Sequence, residues 1–316
     1  MQGLAPFLLL GLTAAVLLLL VLWALRIKKK PKETLKEKAS PFEYSWAQVP
    51  LADETKPPLP IHYRLEGDPK KPVVLLIHGL GANLNCWRRL IPLLETDFQV
   101  LAFDLPGFGL TPNPESFFGK QATDLTDLVV RLIESLKLKT PVFLIGNSLG
   151  GILSLALMEQ KDAFFSKALL INPALSRKLV KLKLYQFSRL AVPIARVLNR
   201  RALTWLYART ISKPEILEPE VVEHLARNYI RNPAGLKSFA AYLRLIDGQG
   251  VPALDYSNCL FIFSEGDRVV TSSHRKRIRK FFPQAKTLFH PSGGHQLQED
   301  EPQWLTEQAK SFFLSS

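Results

Sequence analysis

Residues 142–153, Val-Phe-Leu-Ile-Gly-Asn-Ser-Leu-Gly-Gly-Ile-Leu, decide the fold. The apolar run 142–145 reads as a short buried strand, and 149–159 (LGGILSLALME) reads as a helix. Between them Gly146-Asn147-Ser148-Leu149-Gly150 is a G-x-S-x-G sequence. A serine in that setting sits on a tight strand-to-helix turn, with strained backbone and an exposed Oγ. Glycines flank it because side chains would collide around the turn. Alone, the pentapeptide also reads as an ordinary glycine-rich turn. The strand before it and the helix after it separate the two readings.

The rest of the chain repeats this alternation. Short apolar runs at 73–78 (VVLLIH), 99–103, 167–171 and 260–264 predict further strands, and 286–290 another. Helical spacing appears at 86–94, 122–136, 273–282 and 302–313, the last opening on Pro302 behind two acids. A mostly parallel sheet covered by helices on both faces is expected. Residues 174–250 break the rhythm. They lie between two expected strands, read only as helices, and are too long for a connection, so they predict an inserted cap. The expected core is 61–173 together with 251–316.

A nucleophilic serine needs a base, and the base needs an orienting acid. His295 lies in Pro291-Ser292-Gly293-Gly294-His295, a loop after the 286–290 strand. Loops at strand ends carry catalytic groups in such sheets. His290 is the nearest rival, but it ends the strand and reads as a packing or surface residue. His62, His224 and His274 fall outside plausible site loops. For the acid, Gly266-Asp267-Arg268 follows the 260–264 strand. Glu265 is its local competitor, and Asp255 precedes the strand at the wrong end. The loop His78-Gly79-Leu80-Gly81 follows the 73–78 strand. The Leu80 and Leu149 amides are the candidate oxyanion hole, and His78 reads as holding this loop. Gly79-Leu80-Gly81 lacks the third glycine of a dinucleotide fingerprint, where Leu84 stands, and no G-x-x-x-x-G-K-[ST] loop exists. No cofactor and no metal site is expected.

His78–Gly81, Asp104-Leu105-Pro106-Gly107-Phe108-Gly109, Gly146–Gly151, Gly266–Asp267 and Gly294–His295 together resemble the α/β-hydrolase superfamily, in its order. The resemblance spans roughly residues 60–173 and 251–316. It implies a serine hydrolase with Ser148 as nucleophile, Asp267 as acid and His295 as base. It also implies that Asp104 and Gly107 shape a turn near the pocket without catalytic work. Ser148 at the nucleophile position argues against the related dehalogenases and epoxide hydrolases, which use aspartate. The whole layout is similar to the membrane-anchored monoacylglycerol lipases of the α/β-hydrolase-domain group. The Gly-Asn-Ser-Leu-Gly-Gly turn also resembles that of carbon–carbon bond hydrolases, which are usually soluble.

Residues 4–25 are almost wholly apolar, and no charge occurs before Arg26. Twenty-two helical residues span about 33 Å, enough for a bilayer core. Arg26, Lys28, Lys29 and Lys30 follow the run, the reverse of a signal peptide's order, and no A-x-A site follows. A single transmembrane anchor over 1–27 is expected, its N-terminus outside and the catalytic part on the cytosolic side. Residues 28–60 read as a basic, then proline-rich linker with a short strand near 43–47.

The chain has 316 residues, 47% of them hydrophobic, with a net charge of +13. Such a composition excludes a disordered chain, and two cysteines exclude a disulfide scaffold or a four-cysteine zinc site. Cys86 and Cys259 are expected to be buried and reduced. Residues 26–40 carry net +5 and residues 174–250 net +9, so the sheet core is close to neutral. Basic residues of the insert alternate with leucines and aromatics, as in Arg177–Phe187, and Trp205 and Tyr207 follow. That mixture suits a lipid interface, and a solvated basic face over a packing stripe is the competing reading. No nucleic-acid motif appears. A lipid ester substrate and an anionic membrane leaflet are the expected partners.

Other acyl chemistry on the same fold, thioesterase or acyltransferase, remains open. Asp300 follows His295 by five residues, an H-x4-D arrangement resembling that of glycerolipid acyltransferases. Its simpler reading is a residue that helps start the helix at Pro302. A catalytically inactive hydrolase fold acting as a membrane binding partner is the alternative of another class.

Overall fold

A computed structural model describes residues 45–112, 123–160, 164–174, 200–217, 222, 242 and 256–315. The expected anchor, about half of the linker and much of the expected cap lie outside these residues. Eight strands form one sheet: β1 (Ser45–Val49), β2 (Leu59–Glu66), β3 (Val73–Ile77), β4 (Gln99–Phe103), β5 (Val142–Asn147), β6 (Phe165–Ile171), β7 (Cys259–Ser264) and β8 (Lys286–His290). Their order is β1-β2-β4-β3-β5-β6-β7-β8. Only the β1–β2 and β2–β4 pairs are antiparallel. The rest run parallel.

The parallel strands read as continuous apolar runs because helices cover both faces. Every residue of β3, β4 and β7 is buried. One face packs Leu75, Leu101, Leu144 and Phe261 beneath α2 (Thr123–Ser135) and α3 (Leu149–Gln160). The other packs Val74, Val100, Ile145 and Ile262 beneath α1 (Ile91–Leu94) and α7 (Pro302–Phe313). Phe313 of α7 stacks on Phe143 of β5, with ring centroids 4.7 Å apart. Each such apolar side chain taken from water contributes about 1.5–3 kcal/mol.

Two corrections concern the N-terminal edge. The strand expected near 43–47 lies at Ser45–Val49. β2 was not expected at all, and its first two residues fall in the segment read as linker. The prolines at 50, 57 and 58 sit between these strands, not across them. Pro60 lies inside β2, on its pairing edge opposite Gln48. Expected helix 86–94 is a 3-10 turn, Leu84–Trp87, followed by α1. Among the described residues no helix is long and apolar enough to cross a membrane. Cys86 and Cys259 are both buried thiols that form no disulfide, and burial pushes the Cys86 thiol well up.

Candidate active site

The central parallel strands β3, β5, β6 and β7 end on one edge of the sheet, and the expected site residues follow them. Ser148 comes directly after β5 and has φ of 55°, in the left-handed region that a non-glycine residue rarely adopts. Its N–H donates to the Ile171 carbonyl at 2.9 Å, and its carbonyl accepts from Gly151 at 3.1 Å, opening α3. Both flanking glycines are required by space. A Cβ on Gly146 would lie 2.3 Å from the Gly150 carbonyl oxygen, and one on Gly150 would lie 2.0 Å from that of Ile77. The Gly79 loop abuts the same turn, since a Cβ there would lie 3.2 Å from Ser148 Cβ. Leu80 is therefore next to a residue in contact with Ser148, and Leu149 follows Ser148 at the buried start of α3.

Asp267 and His295 meet, 28 residues apart in the chain. His295 Nδ1 and Asp267 Oδ2 are 2.8 Å apart and both side chains are buried. Asp267 Oδ1 accepts from the amides of Val269 at 2.6 Å and Val270 at 2.9 Å. Burial alone would raise the Asp267 carboxyl. The charge and hydrogen bond of His295, with these two amides, outweigh burial and hold it below the ordinary carboxylate value. A carboxylate at Nδ1 fixes the tautomer that leaves the Nε2 lone pair free in the neutral ring.

The rival residues stand elsewhere. Glu265 is exposed and pairs with Arg275 of α5 (Ser272–Phe281) at 3.3 Å. His290 Nδ1 accepts from the Gly293 amide at 3.1 Å, and its ring packs edge-on against Trp304, so it shapes the turn before His295. His78 Nε2 accepts from Leu105 N–H at 3.0 Å and Nδ1 donates to the Gly79 carbonyl at 2.8 Å. It ties the Gly79 loop to the loop after β4, and burial lowers its pKa. His62 pairs with Asp104 at 2.7 Å. Asp104 also accepts from the amides of Leu84 and Leu110, so it is a turn-shaping residue. Gly109 is forced by this carboxylate, because a Cβ would lie 1.8 Å from Asp104 Oδ2 at a φ of +55°. Asp255, His224 and the His274 side chain lie outside the described residues.

Two residues escaped the sequence reading. Asn147 Nδ2 donates to the His295 carbonyl at 2.9 Å and to that of Ile171 at 3.2 Å. Asn172, fully buried with φ of 44°, donates from Nδ2 to the carbonyls of Gly294 and His295, each at 3.1 Å. Its Oδ1 accepts from Ser264 N–H at 2.9 Å. These two amides join the serine turn, the end of β7 and the histidine loop. The one available signal was an asparagine directly after a strand, where a positive φ favours it.

Asp300 corrects a further expectation. It does not cap the helix at Pro302, whose N-cap is Glu301 with no side-chain hydrogen bond. Its buried carboxylate accepts from Gly294, Ser212 and Lys213 amides. Among the described residues no group of three His, Cys, Asp or Glu side chains is gathered to hold a metal ion.

A strained serine after the central strand, with a buried Asp–His pair on the neighbouring loops, is the layout of the α/β-hydrolase class. The family model for the alpha/beta hydrolase fold matches residues 72–302, and the chain belongs to that family. It is 24% identical to an uncharacterized hydrolase of Bacillus subtilis over 80% of this chain and 93% of that protein. It is 25% identical to an sn-1-specific diacylglycerol lipase of Mus musculus over 81% of this chain and 85% of that protein. An esterase structure from Exiguobacterium antarcticum superposes with a TM-score of 0.67 at 20% identity, covering 86% of this chain and 99% of the other. That likeness speaks to the fold.

Proposed function

We propose that this α/β hydrolase is a membrane-anchored serine hydrolase that cleaves a lipid ester of the monoacylglycerol or lysophospholipid type. The observation that carries the reading is the 2.8 Å Asp267–His295 pair, whose loop is bound by Asn147, the residue before Ser148. Ser148 attacks the ester carbonyl while His295 takes its proton, and Asp267 holds the imidazole. The Leu80 and Leu149 amides stabilise the oxyanion. His295 then protonates the leaving alcohol, and water cleaves the acyl-enzyme.

Three observations support a lipid substrate at a membrane. The apolar run at 4–25 with its basic flank is long enough for a bilayer anchor. The insert between β6 and β7 carries net +9 over 174–250. On α4 (Arg200–Ala208) within it, Trp205 is 59% exposed and Leu206 47%, with the Arg209 guanidinium 4.5 Å from the indole centroid. Aromatic, aliphatic and basic side chains side by side suit an interface with anionic lipid.

The full chain in mixed vesicles, given monoacylglycerol, lysophospholipid and acyl thioester in turn, tests this reading. Fatty acid release by the wild type and its loss in Ser148→Ala is the expected result. Acyl transfer to an added lysolipid in preference to water would replace hydrolysis with acyltransfer. Absence of turnover on all three by a folded protein would favour a membrane binding partner.

A further inference from the structure

The His295 carbonyl is held by Asn147 and Asn172, and its two neighbours have further partners of their own. Asp300, 1% exposed, ends the short helix α6 (Leu297–Asp300). Its Oδ1 accepts from Ser212 N–H at 2.9 Å and Lys213 N–H at 3.0 Å. Its Oδ2 accepts from Gly294 N–H at 2.8 Å, with Ser212 N–H again at 2.9 Å. Among the described residues no lysine or arginine pairs with this carboxylate. Lys213 Nζ reaches the Asp300 carbonyl at 3.2 Å and the Glu301 carboxylate at 2.7 Å instead. A buried carboxylate without a cation must take its compensation from amide donors, and here its acceptor sites are filled by them.

A second set of bonds lies on the other side of His295. Gln296 N–H donates to the Thr210 carbonyl at 2.9 Å, and its Nε2 to Thr210 Oγ1 at 2.6 Å. Tyr207 O–H donates to Gln296 Oε1 at 2.6 Å. Gly294 is pressed so close to the insert that a Cβ would lie 2.8 Å from Ile211 Cα. Gln296 directly, and Gly294 through Asp300, are therefore tied to 207–213, the described stem of the insert between β6 and β7.

We propose that Asp300 is a positioning residue that couples this stem to the catalytic base, so that the stem's seating sets the place of His295. The inference rests on the reading of His295 as the base. It assigns the H-x4-D aspartate to a backbone latch and not to proton transfer with substrate. A displacement of the stem by a bound acyl chain or by a membrane surface would pull on Gly294 and Gln296 together. Chemistry at Ser148 would respond without any direct contact, because sub-ångström misplacement of a base is costly.

Hydrogen exchange and turnover of Asp300→Asn test this together. The carboxamide keeps the size but puts an N–H₂ where an acceptor is needed. Exchange should quicken in 209–213 and in 292–296 alike, since one oxygen must now serve amides of both segments that two oxygens served before. Turnover per fluorophosphonate-titrated site should fall by about tenfold or more, with KM within about threefold. Glu215→Ala, an exposed residue just beyond the stem, should match the wild type in both readouts. If Asp300→Asn does not fold, Tyr207→Phe carries the test, with faster exchange at 292–296 and a loss of about two- to fivefold in turnover. Quickening confined to one segment, or wild-type turnover per titrated site, would overturn the coupling. A wild type without turnover would sink the serine-hydrolase reading, and the exchange data would still decide whether the latch exists.

Discussion

Asn172 and His295 are 123 residues apart in the chain, and one hydrogen bond of 3.1 Å from the Asn172 carboxamide to the His295 carbonyl joins them. Asn172 Nδ2 also reaches Gly294 O and Ser264 Oγ, and its Oδ1 takes Ser264 N–H. Its side chain thus ties the strand that precedes Asp267 to the loop that carries His295. Asn172→Asp keeps the shape and tolerates the positive φ, but replaces the donor with an oxygen facing two carbonyls. Such unsatisfied buried groups cost about 1–3 kcal/mol each. We expect a lower unfolding midpoint in urea and a turnover reduced by about 10- to 100-fold per titrated site. A variant with wild-type turnover would remove Asn172 from the site's framework.

Asp267→Asn tests the acid. Asn at 267 can keep the Val269 and Val270 amides on its oxygen, which presents its N–H₂ to His295 Nδ1. That orientation forces the proton onto Nε2 and disables the base. Turnover should fall on the order of 10⁴-fold while KM changes little. Stability should change too. The native carboxyl lies below its ordinary value, so its contribution is present above about pH 4 and is lost as pH falls through the native pKa. Acid unfolding of the variant should lack that component.

Gly79→Ala probes the loop against the nucleophile. The new Cβ would lie 3.1 Å from Asn147 Oδ1 and 3.2 Å from Ser148 Cβ. These contacts are tight but not prohibitive, so the fold should survive with a small shift of the loop. Displaced oxyanion donors would lower turnover by about 10- to 100-fold. Steady-state kinetics at a matched thermal midpoint measures this.

Glu299 supplies a pH dependence of stability. It is fully buried, and burial drives its carboxyl from 4.5 up to about 7 against the opposing pull of Arg88. Its Oε1 accepts from Arg88, and Oε2 has no hydrogen-bond partner among the described residues. Between pH 4.5 and about 7 the native state holds a proton that the unfolded chain has released. Stability from this group therefore declines as pH rises through that window. Thermal midpoints measured from pH 5 to 8 should show the decline, and Glu299→Gln should flatten it.

The sheet was legible because buried parallel strands leave unbroken apolar runs, as at 73–77 and 259–264. β2 was hidden for the converse reason. It is antiparallel near the sheet edge and carries His62, an Arg64–Glu66 ion pair and Pro60. Asp267 and His295 were legible because a glycine turn after a strand brings a loop residue to the site edge. Asn172 and Asp300 were not. The partners of Asn172 lie 92 to 123 residues away and those of Asp300 in the stem 87 and 88 residues away, and no local pattern encodes such pairings. Asp300 in particular read as a helix-start residue because acids before Pro302 fit that role by spacing alone.

Fluorophosphonate labelling of membranes holding the full chain, wild type beside Ser148→Ala, tests the central claim most directly. The account predicts covalent labelling of the wild type at Ser148, none in the variant, and a loss of ester turnover on the order of 10⁶-fold in that variant. Equal labelling of both proteins, or a folded wild type that takes no label, would contradict it.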